Sequence, residues 1–190
     1  MFLEQVINEP ICEPIAERYR FWYEFMQENI EFNLLDSTIH TKEHCARVLL
    51  MALIIANKIG LSDKEMDVLS MAAVFHDSCR INDWIDRGHG KRASEYYKDY
   101  CYKNNISFDI QTYYIIHYHD QNDDIGLLEI GKDPDINEIC ILLYQIFKDA
   151  DALDRFRLGP NALNIDMIRT KEACKLIDFA RYILKKSNEK

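Results

Sequence analysis

Residues 66–77 read MDVLSMAAVFHD. Met66, Leu69, Ala73 and Val74 recur at helical spacing, so the segment predicts a helix with an inward face. The run closes on His76 and Asp77, an imidazole and a carboxylate side by side at the end of an apolar helix. Buried ionisable groups are costly unless they pair or bind a metal. Two more such groups occur in apolar surroundings: His44 opens HCARVLLMALIIA (44–56), and Asp151 lies in KDADALD (148–154). Neighbouring side chains do not share a helix face. His76 and Asp77 therefore reach one ion only where it lies between their two directions, most easily at a helix end.

Working outward, the chain reads as helical throughout. Six glycines and four prolines in 190 residues leave few breakers. The long periodic runs between them predict an all-α helical bundle in a single domain. A first helix follows Pro14 through IAERYRFWYEFMQENIEFN (15–33). Thr41 is placed to cap the next, whose stripe of Val48, Ala52, Ile55 and Ile59 ends at Gly60. Ser62 and Glu65 have capping-box spacing ahead of the helix that leads to His76. SCRINDWIDRGHG (78–90) reads as a loop, followed by helices over about 91–102 and 109–119. QNDDIGLLEIGKDPD (121–135) reads as a polar loop or lid. A long apolar helix from Ile136 to about Phe156 carries Asp151, and an amphipathic helix spans about 171–185. The expected organisation is a helical extension over 1–37 packed on the domain, a core over 38–160, and a C-terminal helix over 161–190 completing it.

Charge counting gives 23 basic against 32 acidic residues, a net −9. An acidic surface disfavours duplex nucleic acid and anionic membranes. An anionic small substrate stays compatible, because a bound cation reverses the sign locally. Cys12, Cys45, Cys79, Cys101, Cys140 and Cys174 are scattered without a CxxC pair, which fits reduced structural thiols rather than a thiolate zinc site. The opening MFLEQVINEPICEP has no basic segment followed by a long apolar one. No apolar run approaches the ~20 residues that span a bilayer. The expected compartment is the cytoplasm.

His44 precedes Val48 by four residues and so lies on the inward stripe, where a histidine is either a hydrogen-bonded core residue or a ligand. His40 competes for that role through i,i+4 spacing, but a cap at Thr41 puts it outside the helix. Asp151 has Lys148 and Arg155 as ion-pair partners in place of a metal. Asp149 points nearly the opposite way. Asp154, near the Asp151 face, is placed either behind the ligands or towards a substrate. His89 begins a helix, and His117 and His119 end one; each is a surface residue or a further ligand. His119, three past Ile116, extends an inward stripe, whereas His117 falls elsewhere. Arg80, three past Asp77, has the donor fork that suits phosphate, or is a solvated loop residue. Lys91 and Arg92 are weaker candidates of the same kind, and Arg155 and Arg157 have acidic neighbours to pair with.

HCARV (44–48), FHD (75–77) and DADALD (149–154), in that order and each in a helical setting, resemble the HD-domain superfamily of metal-dependent phosphohydrolases over about residues 38–160. The resemblance implies an all-α bundle with a divalent metal on His44, His76, Asp77 and Asp151. HGKRASEYY (89–97) and IIHYHD (115–120) resemble the positions that support a second metal in some members, which makes His89 and His119 its candidate ligands. HDSCR (76–80) lacks the HDxGYP extension of cyclic-dinucleotide phosphodiesterases. Two imidazoles with two carboxylates suit Mn, Fe, Co, Ni or Mg, as one ion or two. The expected function is hydrolysis of a phosphate ester or anhydride of a nucleotide-like small molecule by a metal-activated water. Asp77, Arg80 and Asp154 are the candidate catalytic residues. The expected partner is thus a phosphorylated small-molecule substrate, with homo-oligomerisation left open. Two other readings share the ligands: a di-iron oxygenase of the same fold, and a metal-bound module that binds a ligand or partner without turnover.

Overall fold

A computed structural model describes residues 6–35, 37, 39–133, 136 and 138–188. The described residues form helices and no strand. The α-helices are α1 (Ala16–Asn29), α2 (Lys42–Ile59), α3 (Asp63–Phe75), α4 (His89–Lys103), α5 (Ile110–Tyr118), α6 (Asp123–Lys132), α7 (Glu138–Leu153), α8 (Lys171–Cys174) and α9 (Ile177–Asn188). Short 3-10 turns cover Glu13–Ile15, Asp154–Leu158 and Ile165–Met167.

Helix α2 is the axle of the bundle. Every residue from His44 to Ala56 is buried, so the helix is covered on all sides and not only along its predicted stripe. A helix apolar all round belongs at the centre. Helices α3 and α7 pack along it, with α1 and α8 on its remaining sides. Its ends follow the local signals: the Thr41 hydroxyl accepts the His44 N–H at 3.3 Å, and Gly60 closes it in the left-handed region at φ 84°, where a side chain would be strained. The Ser62–Glu65 capping box forms as the spacing predicts, with the Ser62 N–H donating to Glu65 at 2.6 Å.

Three expectations are corrected. Residues 123–132 form helix α6 rather than a loop, because Gly126 and Ile130, four apart, turn inward and are buried. Gly126 is needed there, since a Cβ would overlap the Tyr144 ring of α7. Positions 134 and 135 of the expected lid lie outside the described residues. Helix α7 stops at Leu153 and tightens into the Asp154–Leu158 turn instead of running to Phe156. The expected last helix is two, α8 and α9, with Ala173 and Leu176 buried at the break.

Segments near both ends of the described residues join one core. Val6, Ile7, Ile15, Tyr19 and Met26 from the start, and Ala173, Leu176, Ala180 and Ile183 from the end, belong to the same apolar cluster as α2. All six cysteines are free. Burial pushes the Cys12 and Cys140 thiols up to about 12, so neither offers a thiolate at neutral pH. Among the described residues no helix is long and apolar enough to cross a membrane.

Candidate metal centre

Five helix ends meet around Asp77. His44 lies in the first turn of α2, His76 caps the C-terminus of α3, His89 opens α4, His119 caps the C-terminus of α5, and Asp151 lies in the last turn of α7. Three of these are C-terminal ends, whose partial negative charge favours a cation. The folded chain thus brings together all six residues singled out as ligands.

The histidines are oriented alike. Nδ1 of His44 lies 2.7 Å from a carboxylate oxygen of Asp154, and Nδ1 of His76 lies 2.8 Å from the Ala73 carbonyl. Nδ1 of His89 and of His119 each lie 2.7 Å from a carbonyl, those of Asp86 and Ile116. These acceptors have no proton to give, so each Nδ1 is the donor, and a ring that carries no second proton presents its Nε2 lone pair inward. The Nε2 atoms then face one another in pairs, 3.2 Å apart for His44 and His76 and 2.9 Å apart for His89 and His119. Two lone pairs at such distances repel unless a proton or a cation lies between the rings. A metal fits this donor set.

Asp77 stands between the pairs. Its Oδ2 lies 3.5 Å from His44 Nε2 and 4.0 Å from His76 Nε2, while Oδ1 lies 3.1 Å from His89 Nε2 and 3.7 Å from His119 Nε2. Asp151 joins the first pair, its Oδ1 3.4 Å from His44 Nε2. Atoms of His44, His76 and Asp151 lie close enough to hold one ion, as do those of His76, Asp77 and His119.

The electrostatics follow from this crowding. Burial would raise the Asp77 carboxyl, but any proton on the surrounding His76, His119, His40 and His89 rings outweighs it and holds Asp77 well below the ordinary range. Burial depresses His76 to about 3, so its ring is neutral. Burial and Arg157 oppose a proton on His44, yet Asp151 and Asp154 outweigh them and raise it. His89 is raised likewise, against its burial, by Asp77.

Several residues stand elsewhere than the sequence suggests. Asp154 is buried behind His44, held by Arg47 Nε and Nη2 at 2.6 and 3.0 Å, where its Oδ2 takes the His44 Nδ1–H and orients that ring. His40, set aside because it precedes the cap, is buried with Nδ1 2.8 Å from Asp77 Oδ2. Its signal was the i,i+4 spacing to His44. His117 turns away to Ser94, 3.1 Å from its hydroxyl. Arg92 is tied to Asp86 at 2.7 Å. Asp120, next to His119, was missed: its Oδ2 accepts the Gly88 N–H at 2.9 Å and lies 3.4 Å from His89 Nδ1. Arg80 stays at the site, with Nη1 3.7 Å from Asp77 Oδ1 and 3.2 Å from His89 Nε2.

No curated protein and no solved structure matches the chain. A family model, the HD domain, matches residues 41–155, a stretch that holds His44, His76, Asp77, His89, His119 and Asp151. Such domains bind divalent metals, and the His/Asp clusters here have the atoms to do so. With more than half of its length matched, and with the ligand-type residues in that stretch drawn together, the chain belongs to the HD-domain family.

Proposed function

We propose that the protein is a metal-dependent phosphohydrolase that cleaves a phosphate ester or anhydride of a small, nucleotide-like molecule. One observation carries the reading. Asp77, His89, His119 and Asp151 line a cavity of about 630 Å³ whose walls also bear Arg80, Arg87, Lys148, Arg155 and Arg157. In a chain of net charge −9, cations gathered around a floor of imidazoles and carboxylates suit an anion brought to a metal.

His44, His76 and Asp151, with Oδ2 of Asp77, are assigned to one divalent ion, and His89 and His119, with Oδ1, to a second. Mn, Fe, Co, Ni or Mg suits these donors; once bound, such an ion lowers the pKa of water and neutralises charge on a phosphoryl group. Arg80 is assigned to hold phosphoryl oxygens. Its buried Nε–H has no partner among the described residues, and an unspent buried donor is costly until a ligand accepts from it. Lys148, its Nζ donating to the carbonyls of His119 and Gln121 at 2.8 and 2.7 Å, holds the end of α5 in place. The oxygenase alternative uses the same ligands; the cationic walls favour a phosphorylated substrate.

Metal content decides it. Protein purified without chelators should carry stoichiometric metal, and Asp77→Ala should lose it while keeping its helical circular-dichroism signal. Wild type supplied with Mn or Mg should then release phosphate from nucleotides. A wild type that takes up no metal even when Mn, Fe or Ni is added sinks the reading. Bound iron with oxygen uptake and no phosphate release transfers it to the oxygenase.

A further inference from the structure

We propose that Trp84 and Ile85 hold the leaving group of the substrate, and that this group carries a planar aromatic ring of nucleobase size. The proposal rests on the phosphohydrolase reading of the floor beneath them.

Trp84 and Ile85 are each 85% exposed, yet both line the cavity that contains Asp77 and His89. Neither belongs to the apolar core or packs against it, so the fold gains little by having an indole at this position. Leu158 and Met167, from separate segments after α7, line the same cavity and are 46% and 59% exposed. The site is therefore ionic at its floor and apolar elsewhere on its wall.

Hydrogen bonds, not burial, position the loop. The Trp84 N–H donates to Asn82 Oδ1, and its carbonyl accepts from Arg80 Nη2, both at 2.9 Å. Asp86 closes the same loop by accepting the Ile81 N–H at 2.8 Å and two contacts from Arg92 Nη2 at 2.7 Å. Arg80 thus touches both ends of the problem: one guanidinium nitrogen faces Asp77 and His89, the other holds the backbone that carries the indole. The ring is anchored one side chain away from the place assigned to phosphate. A ligand with a charged end and an aromatic end, at about that separation, answers both surfaces. A purely aliphatic phosphate leaves Trp84 in water. A nucleobase offers the indole a π-face and removes both from solvent.

The chain has two tryptophans, and Trp22 is buried in α1, edge-on to Phe21 and Phe25. Trp22→Phe keeps an aromatic there and makes Trp84 the sole tryptophan, whose emission is excited apart from that of the tyrosines. With Mg2+ present, adenosine 5′-monophosphate should quench its emission and ribose 5-phosphate should not. Independently of that background, the ratio of kcat/KM for these two esters should fall about tenfold in Trp84→Ala, within the range of base–aromatic stacking, and be largely kept in Trp84→Phe. An unchanged ratio, or no quenching by the nucleotide, overturns the proposal and leaves Trp84 and Ile85 as a surface for another protein. The two readings fail separately. Quenching without hydrolysis of either ester removes the phosphohydrolase and keeps the aromatic subsite; hydrolysis of both at a ratio indifferent to Trp84 does the reverse.

Discussion

His44 is gripped from behind by a carboxylate that is itself clamped by an arginine. Asp154 takes the Nδ1–H at 2.7 Å, and Arg47 meets both Asp154 oxygens. Both members of the pair are buried; Asp154 also has Arg157 Nη1 3.7 Å from its Oδ2, whereas the Arg47 charge is answered by Asp154. Asp154→Asn preserves shape and leaves Arg47 uncompensated. The expected loss is about 3–5 kcal/mol in urea unfolding, since one partner of a buried pair has gone. Calorimetric metal affinity should fall roughly 10–100-fold, as for other groups that orient a ligand. Unaltered metal affinity would separate Asp154 from the site. In the sequence, Asp154 was legible only as a residue near the face of Asp151. Its partners lie 110 and 107 positions away, and no local pattern announces them.

The start of α4 lies against the end of α5, and one glycine allows it. A Cβ on Gly90 would sit 2.7 Å from the Ile116 carbonyl oxygen and 2.8 Å from that of His117, so Gly90→Ala must push the two helix ends apart. His89 and His119, whose Nε2 atoms are 2.9 Å apart, would separate with them. We expect the metal-to-protein ratio to drop from two towards one, with about 1–3 kcal/mol lost to overpacking. Two ions retained in the variant would contradict the assignment of His89 and His119 to a second ion. Gly131, on α6, has nothing within 4 Å of an added Cβ; Gly131→Ala should raise stability by about 0.5–1 kcal/mol through helix propensity. At this scale caps were readable, because Thr41, Ser62 and Glu65 act on their own backbone. Helix α6 was not, because its two glycines and acidic start look like a loop until Tyr144 of α7 is seen beside Gly126.

Across the molecule, Arg169 ties α6, α7 and the segment ahead of α8 together. Its Nε and Nη2 reach Asp123 at 2.6 and 2.8 Å, and its Nη1 reaches the buried Asp149 at 3.1 Å. Asp149 also accepts the Thr170 N–H at 2.7 Å. This knot fixes the cavity wall that includes Met167 and Arg169. Burial would raise the Asp123 carboxyl, but Arg169 and Lys148 outweigh it and hold it below the ordinary value. A depressed folded pKa stabilises fully above the unfolded value, about 4. That contribution is lost as pH falls from there through the folded pKa. Urea midpoints of wild type and Asp123→Asn should differ at neutral pH and converge in acid below about pH 4. A gap constant with pH would mean that shape, not charge, holds the knot.

What the sequence by itself determined was local: helical content, the main caps, and the order of ligand-type residues that marks the HD domain. Periodicity and capping depend on neighbours three or four positions away, so they survive without tertiary information. Only the folded chain decided that α2 is covered on every side, that His40 turns to Asp77, that Asp154 stands behind His44, and that Asp77 lies between two imidazole pairs. Each of those depends on which helix ends meet, and that is settled by packing between segments far apart in the chain.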